Sequence, residues 1–175
     1  AVLVDGVNVK DMPIEVLRKK IGLVPQKAVL FTGSVKENIL FGNEQATEEE
    51  IIHATKVAQA YDFVMNMKDG INSEISQGGT NVSGGQKQRL SIARALVRKP
   101  EIYMFDDSFS ALDFKTDAKL RAALKEETTE STVLIVAQRV STVMDANRII
   151  VLDKGTVAGI GTHKYLLENC EVYRE

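Results

Sequence analysis

Short apolar runs alternate with segments of helical periodicity from one end of the chain to the other. Val2 to Val4, followed by Asp5-Gly6, predicts a strand that enters a tight turn. Leu17 to Val24 predicts a short helix that leads into a strand ending at Pro25. Strands and helices that alternate in this way are typical of an α/β domain. The pattern contains no internal repeat, linker or low-complexity tract, and we therefore interpret residues 1–175 as one domain.

Two capping boxes mark the starts of predicted helices. Thr47 is followed by Glu50, and Ser83 by Gln86, at the spacing that lets each pair satisfy backbone N–H groups of a first helical turn. The helix after Ser83 must end before Pro100, because the residue preceding a proline avoids the helical conformation.

The remaining elements of the first half and of the C-terminal end are assigned from shorter patterns. Residues 61–67 predict a helix, and residues 70–85, which are rich in Ser, Asn and Gly, predict a loop. Residues 148–152 and 156–158 predict a closing hairpin, and residues 163–170 predict a helix.

Three elements are predicted between these regions. Residues 102–105 are an apolar run too short for a helix, and they predict a strand that ends in two carboxylates. A helix is predicted at about 114–125. The β-branched run at residues 132–137 predicts a buried strand.

The composition is that of an ordinary globular domain. The 175 residues carry 22 Lys and Arg against 24 Asp and Glu, with 44% hydrophobic and 26% charged residues, which excludes a disordered or collagen-like chain. No apolar run approaches the roughly 18 residues of a membrane span. The net charge of −2 gives no support for a nucleic-acid partner, which favours a basic patch. The single cysteine, Cys170, cannot form an internal disulfide, and with two histidines it gives no basis for a Cys/His zinc site.

The run Ser83-Gly84-Gly85 stands where a helix is predicted to begin. A helix N-terminus presents unpaired backbone N–H groups and a partial positive charge, and glycines allow a close approach, so the run suits a phosphate. Taken alone, the same run is better explained as the cap of an ordinary helix after a flexible loop.

Asp106 and Asp107 follow the strand predicted at residues 102–105. At the carboxyl edge of a parallel sheet the first carboxylate can hold Mg²⁺, and the second can orient or deprotonate an attacking water. Two aspartates alone are better explained by a solvated turn after a strand. Ser110 to Asp113 follow at once, and the two motifs together with Ser83-Gly84-Gly85 are hard to explain as coincidence.

Together these motifs resemble the nucleotide-binding domain of ATP-binding cassette (ABC) transporters, and the resemblance extends over essentially the whole chain. It covers the following segments: Val24-Pro25-Gln26, similar to the Q-loop; Val82 to Gln86, similar to the signature motif with Val for the usual Leu; Met104 to Asp107, similar to the end of Walker B; Ser110, Ala111, Leu112 and Asp113, similar to the D-loop; and two exporter-like stretches, residues 30–39 and 73–79, the latter with Gln77 where Glu is usual.

The resemblance implies a fold, cofactors and roles. The fold is a partial P-loop NTPase (ABC ATPase) fold, a mostly parallel sheet flanked by helices, with a helical subdomain at about 36–97 that holds the signature. The cofactors are ATP and Mg²⁺. Asp106 and Gln26 are the implied metal ligands, and Gln26 also contacts the water and senses the membrane domains. Ser83, Gly84, Gly85 and Gln86 are implied to bind the γ-phosphate of an ATP that the partner holds.

The sequence departs from the family pattern in its phosphate loop. No segment reads G-x-x-x-x-G-K-[ST], which in the family precedes the strand ending at Asp5-Gly6. We therefore interpret the chain as truncated before the Walker A motif and its adenine-stacking aromatic residue. Alone, it is expected to bind Mg-ATP weakly and to be inactive.

Two further departures concern the catalytic residues. Asp107 stands at the place of the catalytic Glu and is shorter by about 1.5 Å; a misplacement of about 1 Å can cost on the order of 100-fold in rate. Gln138 stands at the place of the switch histidine, and it cannot carry a proton's charge to the γ-phosphate. Neutral drift explains either change alone about as well as a functional division does. Both together, beside an intact signature, resemble the degenerate half of a heterodimeric multidrug exporter.

The resulting hypothesis is an ATPase cassette that couples ATP binding and hydrolysis to export across a membrane. Its implied partners are a second ABC half-transporter and the coupling helices of a transmembrane domain, and its implied location is the cytoplasmic face of the cell membrane. Two alternatives stay open: a regulatory cassette that dimerises without significant hydrolysis, and an ABC-type ATPase that is not involved in transport. The exported substrate does not follow from this segment.

Overall fold

The computed structural model describes residues 1–174. The chain separates into two compact units, Ala1–Val136 and Ala137–Glu175. The interpretation of residues 1–175 as one domain with a helical subdomain at about 36–97 stays a prediction. No helix in the described part of the chain combines the length and the apolar character that crossing a membrane requires.

The first unit contains seven strands, six α-helices and two 3₁₀ turns within its described residues. In chain order these are β1 (Leu3–Val4), β2 (Val7–Asn8), α1 (Ile14–Lys20), β3 (Ile21–Val24), β4 (Gly33–Ser34), α2 (Val35–Leu40), α3 (Glu48–Val57), α4 (Tyr61–Met65), a 3₁₀ turn (Gly70–Asn72), β5 (Glu74–Ile75), a 3₁₀ turn (Gln77–Gly79), α5 (Gly84–Leu96), β6 (Ile102–Asp106), α6 (Phe114–Glu127) and β7 (Thr132–Val136).

The central sheet is parallel, with the strand order β3-β6-β7. Val24 lies opposite Phe105, and Phe105 lies opposite Ile135. Parallel neighbours need long crossovers, which here are the helices between β3 and β6 and helix α6 between β6 and β7. All three strands therefore end at the same edge, and the residues that follow β3 and β6 are brought together there.

The core lies between this sheet and the helices. Val24 and Phe105 from the sheet are buried with Leu90 of α5 and Leu120 of α6. The same cluster includes residues from α2, α3 and α4, among them Ile39, Ile51 and Val64. Because burial of one such side chain contributes about 1.5–3 kcal/mol, this shared core fixes α5 against the sheet.

The predicted helix starts are confirmed. Both capping boxes, Thr47 with Glu50 and Ser83 with Gln86, have their two reciprocal hydrogen bonds. A third complete box, Ser34 with Glu37, opens α2. Helix α5 ends at Leu96, before Pro100 as predicted.

Two predictions for the first unit need correction. The segment 70–85 is not a loop throughout, because β5 pairs with β4 and two 3₁₀ turns flank β5; a pairing with a distant segment leaves no local pattern. The strand at 132–137 is not buried: Val133, Leu134 and Val136 are 39%, 48% and 54% exposed. An apolar run is covered on both faces only inside a sheet, and in the described part of the chain β7 pairs with β6 alone.

The second unit contains α7 (Val140–Val143), β8 (Ile149–Asp153), β9 (Thr156–Gly161), α8 (His163–Asn169) and α9 (Glu171–Arg174). The predicted hairpin and the helix at its end are confirmed. Lys154 and Gly155 make the hairpin turn with φ of +46° and +79°, the left-handed pair that matches the twist of two strands. Cys170 is buried in a small core with Ile149 and Leu166.

Candidate functional site

The carboxyl edge of the central sheet brings Gln26 and Asp107 together. Gln26 follows β3, and Asp107 follows β6. The side-chain amide of Gln26 donates a hydrogen bond from Nε2 to Oδ2 of Asp107 at 3.2 Å. Asp106, the last residue of β6, lies at the same edge and is exposed. Carboxylate and amide oxygens thus converge where two neighbouring parallel strands end.

The backbone at Asp107 has an uncommon conformation. Its φ of +42° lies in the left-handed region, which aspartate tolerates better than most residues. Its N–H donates to the carbonyl oxygen of Val136, the last residue of β7, at 2.9 Å. The turn after β6 is therefore held by the neighbouring strand, and it directs the chain away from the sheet directly after Asp106.

Ser108 ties this turn to the end of β3. Its side chain is completely buried, and Oγ donates to the carbonyl oxygen of Val24 at 2.9 Å. Ser110 Oγ donates to the carbonyl oxygen of Asp107 at 3.0 Å. The loop that carries Asp107 is thus fixed both to β3 and to the residues that follow it.

The start of α5 is a fully formed helix cap. Ser83 Oγ accepts a hydrogen bond from the Gln86 N–H at 3.2 Å, and Gln86 Oε1 accepts one from the Ser83 N–H at 2.8 Å. Gly84 is exposed, and a Cβ added to it would meet no atom within 4 Å. The open space next to Gly84 allows a ligand to approach the backbone of the first helical turn.

Gly85 lies directly against residues 110–113. A Cβ at Gly85 would lie 3.2 Å from the carbonyl oxygen of Ala111 and 3.6 Å from a methyl carbon of Leu112. Residues 83–86 and residues 110–113 therefore form one continuous surface, although the rest of helix α5 and strand β6 lie between them in sequence.

Asp113 has a structural role in this surface as the N-cap of α6. It accepts hydrogen bonds from the backbone N–H of Thr116 at 3.0 Å and from the Thr116 hydroxyl at 2.7 Å. These bonds lower the pKa of the Asp113 carboxyl below its usual value, the backbone bond having the larger effect. The carboxylate thus stays ionised and fixes the direction in which α6 leaves the loop.

The model of the family described as ABC transporter matches residues 1–110. The chain belongs to the ABC transporter family.

Relatives in this family agree with the exporter-like segments. The chain is 47% identical, over 100% of its length, to an uncharacterized ABC transporter ATP-binding protein of Mycobacterium bovis. It is 44% identical over 98% of its length to a Staphylococcus aureus protein named "Putative multidrug export ATP-binding/permease protein". In each case the chain spans 30% of the relative's length.

A solved structure establishes the fold. The chain matches a bacterial Atm1-family ABC exporter with ATP bound, with a TM-score of 0.95 and 36% identity, over 98% of this chain and 30% of that one. The predicted ABC ATPase fold is therefore confirmed, and the chain is an ATP-binding cassette of the exporter type.

The donor set at the sheet edge suits the Mg²⁺ that ABC ATPases use with ATP. No group of three or more His, Cys, Asp or Glu side chains in the described residues could hold a metal ion. Mg²⁺ is typically bound by one or two carboxylates together with nucleotide phosphates and water. Asp106 and Gln26 would supply the protein's hard oxygen ligands.

Gln138 belongs to the second unit, where it is exposed between β7 and α7. The hydrogen-bonded pair at the sheet edge consists of residues of the first unit, Gln26 and Asp107. The predicted role of Gln138 stays a prediction.

The exporter-like segments of this ABC cassette are held by polar side chains. Arg94 of α5 donates to the carbonyl oxygens of Asn38 at 2.8 Å and of Val29 at 3.0 Å. Its guanidinium lies near the rings of Phe31 and Phe41, whose centroids are 4.7 Å apart and which are 45% and 67% exposed. Arg94 therefore connects an exposed aromatic pair to α5, the helix that begins with the signature.

Sequence reasoning missed three polar residues that support the site. Ser108 holds the turn after β6; Gln88 is buried on α5 and donates to the Pro25 carbonyl oxygen at 3.2 Å. Arg89 donates to the Gln59 carbonyl oxygen at 2.6 Å, and burial lowers its pKa. For Gln88 and Arg89, the available signal was the presence of polar residues on the face of α5 that its apolar pattern directs toward the core.

Proposed function

We propose that this chain is the ATP-binding cassette of an ABC exporter, in which ATP binding and hydrolysis drive export, and that it is the hydrolytically weaker half of a heterodimer. The observation that carries the proposal is the hydrogen bond between Gln26 and Asp107 at the carboxyl edge of the sheet. It brings the Q-loop side chain next to the last residue of the segment similar to Walker B, which supports a joint action of the two on one water.

The edge of the sheet is the half-site that acts on this chain's own nucleotide. Asp106 and Gln26 would hold Mg²⁺, which would supply neutralisation of charge on the nucleotide phosphates. Gln26 also orients the attacking water, and Asp107 accepts a proton from it as a weak base. For Gln138, the family resemblance alone implies a hydrogen bond to the γ-phosphate.

The surface formed by residues 83–86 and 110–113 is the half-site offered to the partner. Ser83, Gly84, Gly85 and Gln86 bind the γ-phosphate of the ATP that the partner cassette holds, through the Ser83 hydroxyl and the N–H groups of the first turn of α5. The D-loop, Ser110 to Asp113, contacts the partner beside it. The close approach of Gly85 to Ala111 supports a single surface for both motifs.

The division of labour follows from Asp107 and Gln138. The Asp107 carboxylate reaches less far toward a water than a glutamate would. Gln138, unlike a histidine, cannot carry a proton's charge to the γ-phosphate. The intact signature, in contrast, completes the partner's site. The same two substitutions also support the regulatory alternative, in which the chain dimerises with almost no hydrolysis of its own, and turnover measured at each site separates the two.

The membrane-spanning part of the transporter is the second proposed partner. The exposed Phe31 and Phe41 rings offer an apolar contact for its coupling helices, and in the proposed arrangement the cassette lies at the cytoplasmic face of the membrane. The Staphylococcus aureus relative, whose name includes a permease, supports this arrangement.

Two serines in the same kind of cap provide the test. Ser83 and Ser34 each cap a helix through a complete capping box, so Ser83→Ala and Ser34→Ala should each destabilise the protein by about 1 kcal/mol. Only Ser83→Ala also removes a phosphate contact. In the full-length reconstituted heterodimer we expect it to lower ATPase activity about tenfold, the order for one hydrogen bond to a charged group. Equal loss of ATPase activity in both variants would contradict the proposed role of the signature.

A further inference from the structure

Gln88 lies on the signature helix and contacts the chain next to Gln26. It is on α5, its side chain is buried with 3% exposure, and its Nε2 donates to the carbonyl oxygen of Pro25 at 3.2 Å. The Pro25 carbonyl belongs to the peptide group that joins Pro25 to Gln26. Gln88 therefore holds the peptide plane from which the Gln26 side chain extends.

The segment after β3 is held from two sides. On the side of β6, Ser108 donates to the Val24 carbonyl oxygen at 2.9 Å, and Asp107 accepts from Gln26 at 3.2 Å. On the side of α5, Gln88 holds Pro25, and Arg94 donates to the Val29 carbonyl oxygen at 3.0 Å. Gln26 thus lies between two attachments to the helix that starts with the signature.

We propose that Gln88 is a positioning residue that sets the place of Gln26 and couples it to the signature helix. A hydrogen bond donated by a buried amide is stronger than the same bond exposed to water. Breaking it leaves a buried polar group without a partner, which is costly. A displacement of Gln26 toward metal and water therefore pulls on Gln88 through the Pro25 carbonyl and moves the start of α5. The start of α5 is the part that binds the partner's ATP. The inference rests on the proposed function and adds to it a path between the two nucleotide sites.

The test uses Gln88→Met in the full-length transporter. Methionine has a similar length and suits a helix but cannot donate, so the variant removes the bond to Pro25 with little change in volume. Gln59→Met is the matched control, because the Gln59 amide donates to carbonyl oxygens of its own helix end, those of Lys56 and Val57. If Gln88→Met does not fold, Gln88→Asn replaces it, since its amide is too short to reach Pro25.

The first measurement is hydrogen exchange without nucleotide. We expect the amides of residues 26–29 to exchange about two- to tenfold faster in Gln88→Met than in the unsubstituted protein, the range for one lost hydrogen bond, and to stay unchanged in Gln59→Met. Unchanged exchange in Gln88→Met would overturn the proposal. This measurement tests the hydrogen bond between Gln88 and Pro25 independently of ATP hydrolysis.

The second measurement distinguishes positioning from a purely structural role. With ATP present, the Mg²⁺ concentration that gives half of the thermal stabilisation should rise about two- to tenfold in Gln88→Met, and kcat at this chain's own site should fall in the same range with KM for ATP little changed. A lower melting temperature with an unchanged Mg²⁺ requirement and kcat would overturn the positioning role. Absence of Mg-ATP binding and hydrolysis in the unsubstituted transporter would instead overturn the proposed function.

Discussion

At the scale of single residues, Asp107 combines two properties that bear on catalysis. Its φ of +42° is tolerated by aspartate, and its carboxylate accepts from Gln26. Glutamate at this position reaches about 1.5 Å further. We expect Asp107→Glu to raise single-turnover ATP hydrolysis at this chain's own site by on the order of tenfold, because a gain of about 1 Å in position is worth up to 100-fold.

The same substitution carries a small cost. Glutamate is less suited to positive φ, so the melting temperature should fall by a few degrees, as expected for about 1 kcal/mol. Asp107→Asn, which keeps the length and removes the base, is the control. No gain in turnover with Asp107→Glu would show that the length of the carboxylate does not limit the rate.

Tyr103 gives a pH dependence at the same scale. It lies in β6, and burial, with a smaller effect of Glu127, raises the pKa of its phenol to about 12 from the ordinary 10.0. The folded state therefore favours the neutral phenol. The contribution of Tyr103 to the free energy of unfolding is fully present below pH 10. It is lost as the pH rises from about 10 towards 12, because in that range the phenol ionises in the unfolded chain before it ionises in the folded one.

We expect the free energy of unfolding to fall over that pH range, measured by urea denaturation, and to fall less in Tyr103→Phe. Tyr61→Phe is the control, because Tyr61 begins α4 outside the sheet. An identical pH dependence in Tyr103→Phe and the unsubstituted protein would exclude Tyr103 as its source.

At the scale of elements, the sequence predicted those structures whose causes are local. The capping boxes at Thr47 and Ser83 depend on residues three positions apart, and both helices begin where expected. The pairing of β4 with β5 was not predicted, since it joins residues about forty positions apart and each strand has only two residues. The exposure of β7 was missed because burial depends on its neighbours in the sheet and not on its own apolar character.

Strand β7 also yields a prediction for the 175-residue chain. Exposed apolar side chains on an edge strand favour pairing with another chain. Leu134 is 48% exposed, and we expect Leu134→Lys to reduce self-association in sedimentation velocity experiments. Val29→Lys is the control, because Val29 is 56% exposed and does not lie in a strand. Equal effects of both variants would show that net charge, and not the edge of the sheet, governs association.

At the scale of the whole molecule, the sequence located the motifs but not their arrangement. Motif order indicated that Gln26, Asp107 and the signature act together. The contact between Gly85 and Ala111, and the bonds from Ser108 and Gln88, depend on how α5 packs on the sheet, and spacing along the chain does not encode that packing. The role of Asp113 as the N-cap of α6 was likewise not predicted, because Asp113 was interpreted only as part of the D-loop.

The arrangement sharpens a prediction about asymmetry in the heterodimer. A substitution in the signature should lower hydrolysis at the partner's competent site. A substitution of Asp107 should lower hydrolysis only at a site that is already slow. Gly85→Asp adds a charge facing phosphate and also crowds Ala111, so its effect has two causes. Gly84→Asp adds the same charge where a Cβ meets no atom within 4 Å, and Gly85→Ala adds the crowding without the charge.

We expect Gly84→Asp and Gly85→Asp to remove most of the steady-state ATPase activity of the reconstituted heterodimer, because like charges at close range in a poorly hydrated interface repel strongly. Gly84→Asn, which has the same shape and no charge, should retain more activity than Gly84→Asp. Asp107→Asn should leave most of the activity, since it removes a base that contributes little. If Asp107→Asn is as damaging as Gly84→Asp, the two sites hydrolyse ATP equally and the cassette is not the weaker half.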